Sequence, residues 1–389
     1  MKSIWRRGAL TLAAVLALAC ETPAGAQSYK YEALHQFAGA PSDGALPFSG
    51  VIRGSGGNLY GTTASGGASD AGTVYKLSAT GQITLLYSFT GGVDGAGPRA
   101  VLVPDSDGNL YGTTVLGGGA NYGVVFKLSS AGTETVLHSF TGGTDGEYPQ
   151  AGVVRDPQGN LYGTTSNGGS SGWGIVFKVD TAGTETILHS FTGGADGGSP
   201  ESGLIWDPQG NLYGTTAGGG ASETGVVFKM DTNGVETVLY TFLEPPNAVT
   251  PWAGLARDSQ GNLYGTTAGG GTLNGGTVFK LDTAGIETVL CSFTGHNGDL
   301  PYAAPILDSA GNLYGTTYEG GVISAGQRRG VVYELTAAGA ETVLHYLTGS
   351  ASGAYPWAGL IRDSQGSLYG AAEQGGTSNM GVVFKLTPE

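Results

Sequence analysis

Gly159-Asn160-Leu161-Tyr162-Gly163-Thr164-Thr165 is one of six identical heptapeptides in the chain. The others begin at Gly57, Gly108, Gly210, Gly261 and Gly311, and a worn seventh copy runs Gly366-Ser367-Leu368-Tyr369-Gly370-Ala371-Ala372. Between successive tyrosines the steps are 51, 51, 51, 51, 50 and 55 residues. A β-rich period of about 40–50 residues marks one propeller blade per repeat. The expected fold is therefore all-β: a seven-bladed β-propeller of four-stranded blades.

The third repeat serves as the type. Gln150–Asp156 reads as strand A, Asn160–Thr165 as B, Gly174–Val179 as C and Glu185–Phe191 as D. Each is short, rich in β-branched and aromatic residues, and bounded by Gly, Asp, Asn or Pro. Asp156-Pro157-Gln158-Gly159-Asn160 predicts a tight A–B turn. A proline stands thirteen residues before every tyrosine (Pro47, Pro98, Pro149, Pro200, Pro251, Pro301, Pro356). It is expected to open strand A, where no ladder donor is required. Lys127 is expected to face Glu134 across the C–D hairpin, and likewise Lys178 and Glu185, Lys229 and Glu236, Lys280 and Glu287, as exposed ion pairs.

The ends complete the count. Tyr31–Phe37 matches strand D, whereas Gly381–Leu386 matches strand C and nothing follows it as D. The N-terminal strand is thus expected to complete the last blade and close the ring. Residues 1–26 carry Lys2, Arg6 and Arg7, an apolar run from Ala9 to Ala19, and Ala24-Gly25-Ala26 before Gln27. This reads as a signal peptide, with 27–389 as one seven-repeat domain secreted to an extracellular or periplasmic space. A second reading cuts before Cys20 and gives a lipoprotein. No later segment reads as a transmembrane span.

With a formal charge of −14 the chain repels phosphate backbones, so no nucleic-acid partner is expected. Beyond the signal segment Cys291 stands alone and cannot form an internal disulfide. A monomer is expected.

The combined pattern GNLYGTT…GG…VFKL…ETVLHSFTGG resembles the GloVer tandem repeat of bacterial "choice-of-anchor" secreted proteins, over residues 30–387. The resemblance implies an exported repeat protein, often held at the cell surface by a C-terminal anchor. It implies no catalytic residues.

Function is sought where the copies differ. The residue after each proline opens strand A at the channel mouth and reads, round the ring, Phe48, Arg99, Gln150, Glu201, Trp252, Tyr302, Trp357. Blades 5, 6, 7 and 1 are aromatic and blades 2, 3 and 4 polar. Such an arc suits stacking on a sugar or gripping a peptide. The alternative is that the rings plug the crevices between blades. The B–C loops add Tyr122, Trp173 and Met380, and the longer blade-6 loop, 322–329, ends in Arg328 and Arg329, a potential carboxylate grip. His35, His138, His189 and His345 share one column of the outer strand and read as packing; the recurrent Asp-Gly pairs read as turns. No metal or cofactor site is read. A binding or scaffold propeller ranks first, an extracellular lyase- or lactonase-like enzyme second, and a structural surface protein third.

Overall fold

The computed structural model describes residues 27–245, 247–321 and 328–389. The signal segment with Cys20, and positions 322–327 of the blade-6 loop, lie outside the described residues. Seven four-stranded antiparallel sheets follow one another along the chain. In blade 3, strand A is Val154–Arg155, B is Leu161–Thr165, C is Ile175–Val179 and D is Glu185–Ser190. Strand A is shorter than its sequence suggests. Around the axis the inner segments of adjacent blades crowd together: a Cβ on Gly152 would lie 2.6 Å from the Val101 carbonyl. The Ala151 carbonyl is taken by the Thr113 hydroxyl of blade 2, at 2.9 Å.

The heptapeptide divides its labour. Leu161 is buried, and Gly163 leaves room for the Phe177 ring of strand C, whose tip would be 2.6 Å from an added Cβ. Asn160 and Tyr162 bracket Asp156: one carboxylate oxygen accepts the Asn160 N–H (2.8 Å), the other the Asn160 amide (2.7 Å) and the Tyr162 hydroxyl (3.1 Å). Burial works against the charged form, but these donors hold Asp156 below its ordinary value. Thr164 donates to the Ser202 carbonyl of the next blade at 3.0 Å. Phe140, ending strand D of blade 2, packs edge-on against Phe177 with centroids 5.2 Å apart. Comparable aromatic pairs fill five further crevices; between blades 6 and 7 Leu347 takes the outer place.

The proline column is the joint between blades. Pro149 lies against Gly123, which opens strand C of blade 2 with φ +96°; a Cβ there would meet Pro149 Cδ at 2.8 Å. The residue before each proline is left-handed in all seven blades, with φ from +52° at Ser199 to +62° at Gly97. Its N–H is anchored to the preceding blade, as Tyr148 N–H is to the Tyr122 carbonyl (3.0 Å).

The ring closes as the sequence indicates. Tyr29–Gln36 pairs antiparallel with Val382–Pro388, from Tyr29 opposite Pro388 to Gln36 opposite Val382, and completes a sheet with Leu368–Ala372 and Ile361–Arg362.

The expected lysine–glutamate pairs do not form. Lys127 stands opposite Thr135, and Glu134 opposite Leu128. That single step puts the two side chains on opposite faces. Lys127 lies over the Tyr111 ring (5.8 Å), while burial, with Asp94 of the preceding loop, pushes Glu134 up to about 7. Glu185 and Glu236 behave alike, facing Asp145 and Asp196, and Glu287 faces Tyr240.

Candidate functional site

A central channel of about 710 Å³ runs along the inner segments, from Phe48 and Trp357 at one end to Arg257 and Leu307 at the other. Because each proline opens an inner segment, the next side chain is delivered to the mouth. All seven post-proline residues line this channel.

The aromatic four form one contiguous cluster. Trp252 stacks on Tyr302 (centroids 5.0 Å, planes 21° apart), Tyr302 leans on Trp357 (4.4 Å), and Trp357 meets Phe48 edge-on (5.9 Å). All four are half-buried. Arg99, exposed, caps the far side of Phe48 at 4.8 Å. Burial raises Glu201 above the ordinary carboxylate range, and Arg99 only partly offsets it.

Two further residues join the mouth that the post-proline column does not reveal. Tyr318 packs on Tyr302 (5.2 Å) and Trp357 (5.5 Å), and its hydroxyl donates to Glu373 at 3.3 Å. Glu373 is 8% exposed; burial raises it, against opposing contributions from Gln374, Tyr318 and Arg99. Both follow the heptapeptide directly. That column reads Ala64, Val115, Ser166, Ala217, Ala268, Tyr318, Glu373, so the break from small side chains was present in the sequence.

Other candidates lie further out. Arg328 is exposed and paired with Asp299 at 3.8 Å. Arg329 lies against Gly349, and its carbonyl accepts the Tyr355 N–H. Trp173 covers Gly193 and Gly198, Tyr122 packs on Tyr148 (5.5 Å), and Met380 covers Gly39. These residues cover loops on the rim rather than line the channel.

The histidine column is more than packing. His35, His138 and His189 each face the aspartate of their own D–A loop: Asp43 at 3.0 Å, Asp145 at 3.2 Å and Asp196 at 3.2 Å. His345 instead stacks on Tyr31 (4.2 Å), and burial pushes it down to about 4. The histidines stay apart from one another. His138 and Asp145, however, are joined by Glu185 of the next blade, and these three are the only set of potential metal ligands this close together among the described residues.

Several solved structures resemble this chain over most of its length. A streptogramin B lyase is 14% identical with a TM-score of 0.59, matching 93% of this chain and 98% of its own. The virginiamycin B lyase of Staphylococcus aureus, also 14% identical, has a TM-score of 0.58 and matches 93% of this chain and all of its own, 100%. At that identity the likeness is one of fold. Curated proteins give no significant sequence match. The Gloeobacter/Verrucomicrobia repeat model matches residues 22–156, 132–328 and 301–389, and the chain belongs to that repeat family.

Proposed function

We propose that the protein is exported and works as a binding or scaffold propeller, taking a carbohydrate or peptide ligand at the channel mouth. The observation that carries this reading is the unbroken half-buried cluster Trp252–Tyr302–Trp357–Phe48, continued by Arg99 over Phe48, with Gln150 and Glu201 completing the ring of lining residues. Aromatic faces stack on the apolar face of a sugar or on an apolar side chain, while the polar arc orients hydroxyls or amides.

The test is a glycan and peptide panel read by thermal shift. Trp252→Ala and Trp357→Ala should each weaken a hit by about 1 kcal/mol while barely moving the Tm. If each variant instead loses about 3–5 kcal/mol of stability with affinity unchanged, the rings are core and the reading fails. Export is checked by mass spectrometry of protein from its host: an N-terminus at Gln27 supports it, and a lipidated Cys20 makes the protein a lipoprotein.

A second reading, a lyase-like enzyme at the same mouth, is favoured by Glu373, a buried carboxyl held toward its protonated form and joined through Tyr318 to the aromatic residues of the mouth. It predicts turnover of a bound ligand that Glu373→Gln abolishes without abolishing binding.

A further inference from the structure

We propose that His138, Asp145 and Glu185 form a site for one divalent transition-metal ion, best filled by Zn2+, which staples blade 2 to blade 3.

The geometry is close to coordination as it stands. His138 Nε2 and Asp145 Oδ1 are 3.2 Å apart, and the three donor atoms lie within 4.8 Å of one another. Two ligands on a tetrahedral zinc, each about 2.0–2.1 Å from the metal, lie roughly 3.3 Å apart. The histidine–aspartate edge therefore already has a coordinating separation, and a small swing of Glu185 closes the third corner. A water would take the fourth position.

The unused bonding capacity points the same way. Glu185 Oε1 is buried and makes no hydrogen bond, and the buried His138 Nε2 has only the 3.2 Å contact with Asp145 Oδ1. Among the described residues no lysine or arginine pairs with Asp145 or Glu185; the two carboxyls meet each other directly, and the imidazole of His138 stands beside Asp145. The ligands are also held in place. Asp145 Oδ2 accepts the Thr141 N–H (2.6 Å) and hydroxyl (2.8 Å), which leaves Oδ1 for the metal. The imidazole rests edge-on against Phe140 at 4.8 Å. Supporting bonds of this kind orient metal ligands. One imidazole and two carboxylates suit zinc and its neighbours, whereas calcium wants six to eight oxygens.

The other crevices act as internal controls. Tyr87 and Tyr240 replace the histidine in blades 1 and 4, and Cys291 with Asn297 replaces the histidine–aspartate pair in blade 5. His35 and Asp43 meet Ile83 where the glutamate would stand. His189, Asp196 and Glu236 repeat the donor set, and His189 meets Asp196 at the same 3.2 Å, but the three do not converge as closely.

The test is calorimetric titration of Zn2+ into chelator-treated protein, with the Tm followed in parallel. One saturable equivalent and a rise in Tm are expected. Co2+ in its place should give the intense visible bands of a tetrahedral site. Glu185→Gln, nearly isosteric, and His138→Tyr, which copies blades 1 and 4, should each abolish the equivalent and the Tm rise. His189→Tyr should leave both intact. The proposal is overturned if the wild type takes up no saturable zinc. It is equally overturned if Glu185→Gln and His138→Tyr, both folded by circular dichroism, bind zinc as the wild type does.

Discussion

Thr164 and its five equivalents carry a bond between blades that the seventh copy has lost. Each hydroxyl reaches a carbonyl of the next inner segment, from Thr62 with Ala100 (3.3 Å) round to Thr316 with Ala358 (3.0 Å). In the worn repeat Ala371 stands there, fully buried. Ala371→Thr should restore the bond, with the Ser49 carbonyl as acceptor, and stabilise the protein by about 0.5–1.5 kcal/mol in a denaturant titration. A lower midpoint would mean the seam has closed over the missing hydroxyl. Gly123→Ala should cost about 2 kcal/mol or more, because it adds a Cβ at a left-handed φ and drives it into Pro149. At this scale the repeated residues were legible, since identity across copies exposes geometry. The mouth was half legible. The post-proline column located Trp252, Tyr302 and Trp357, but Tyr318 and Glu373 lie one residue beyond the repeated heptapeptide and reach the mouth only through the turn that follows strand B.

In the type repeat strands B, C and D fall within one residue of their expected limits, because hydrophobic runs and turn residues bound them sharply; in the closing blade C and D each run two residues further at one end. Strand A does not, because its first half bonds to neighbouring blades, and no local pattern reports that. The lysine–glutamate misreading has the same origin. Sequence spacing across a hairpin leaves the pairing undetermined by one residue, and one residue turns a side chain to the other face. The bulge within each C–D pair, at Val125/Phe126 in blade 2, adds to the offset. The closing strand was fully legible, since its sequence copies six internal strands D. Removing residues 27–38 strips the partner from Val382–Pro388 and removes Phe37, which is fully buried. The truncated protein should lose cooperative unfolding in calorimetry or melt far below the full ring; an unchanged Tm would refute the seam's importance.

For the molecule as a whole, the crevices fix the direction of its response to pH. Burial, aided by Asp94 and Asp196, holds Glu134 and Glu236 up at about 7, and burial does the same for Glu341, each from an ordinary value of 4.5. The folded state keeps these protons where the unfolded chain has released them. Their effect is therefore a loss of stability as pH rises from about 4.5 through 7. His345, held down at about 4 from 6.5, works in the opposite sense over most of that range, as one group against these three and Glu185, which is raised likewise. The aspartates held below 3.8, such as Asp94 and Asp156, add stability that is lost in stronger acid. The Tm should peak on the acid side, near pH 5, and fall toward pH 8. Glu134→Gln with Glu236→Gln should flatten that fall. A Tm that rises steadily from pH 5 to 8 would contradict the assignment.

Closing the ring with one strand from each end has an orienting consequence. The Glu389 N–H donates to the Ser28 carbonyl at 2.9 Å, so the first and last described residues of the ring lie side by side. They do so where every other blade has its C–D turn, on the face opposite the D–A and B–C loops. A tether on either end would therefore present the ring in one pose, with the face of its C–D turns toward the support and the tryptophan-lined opening toward the medium.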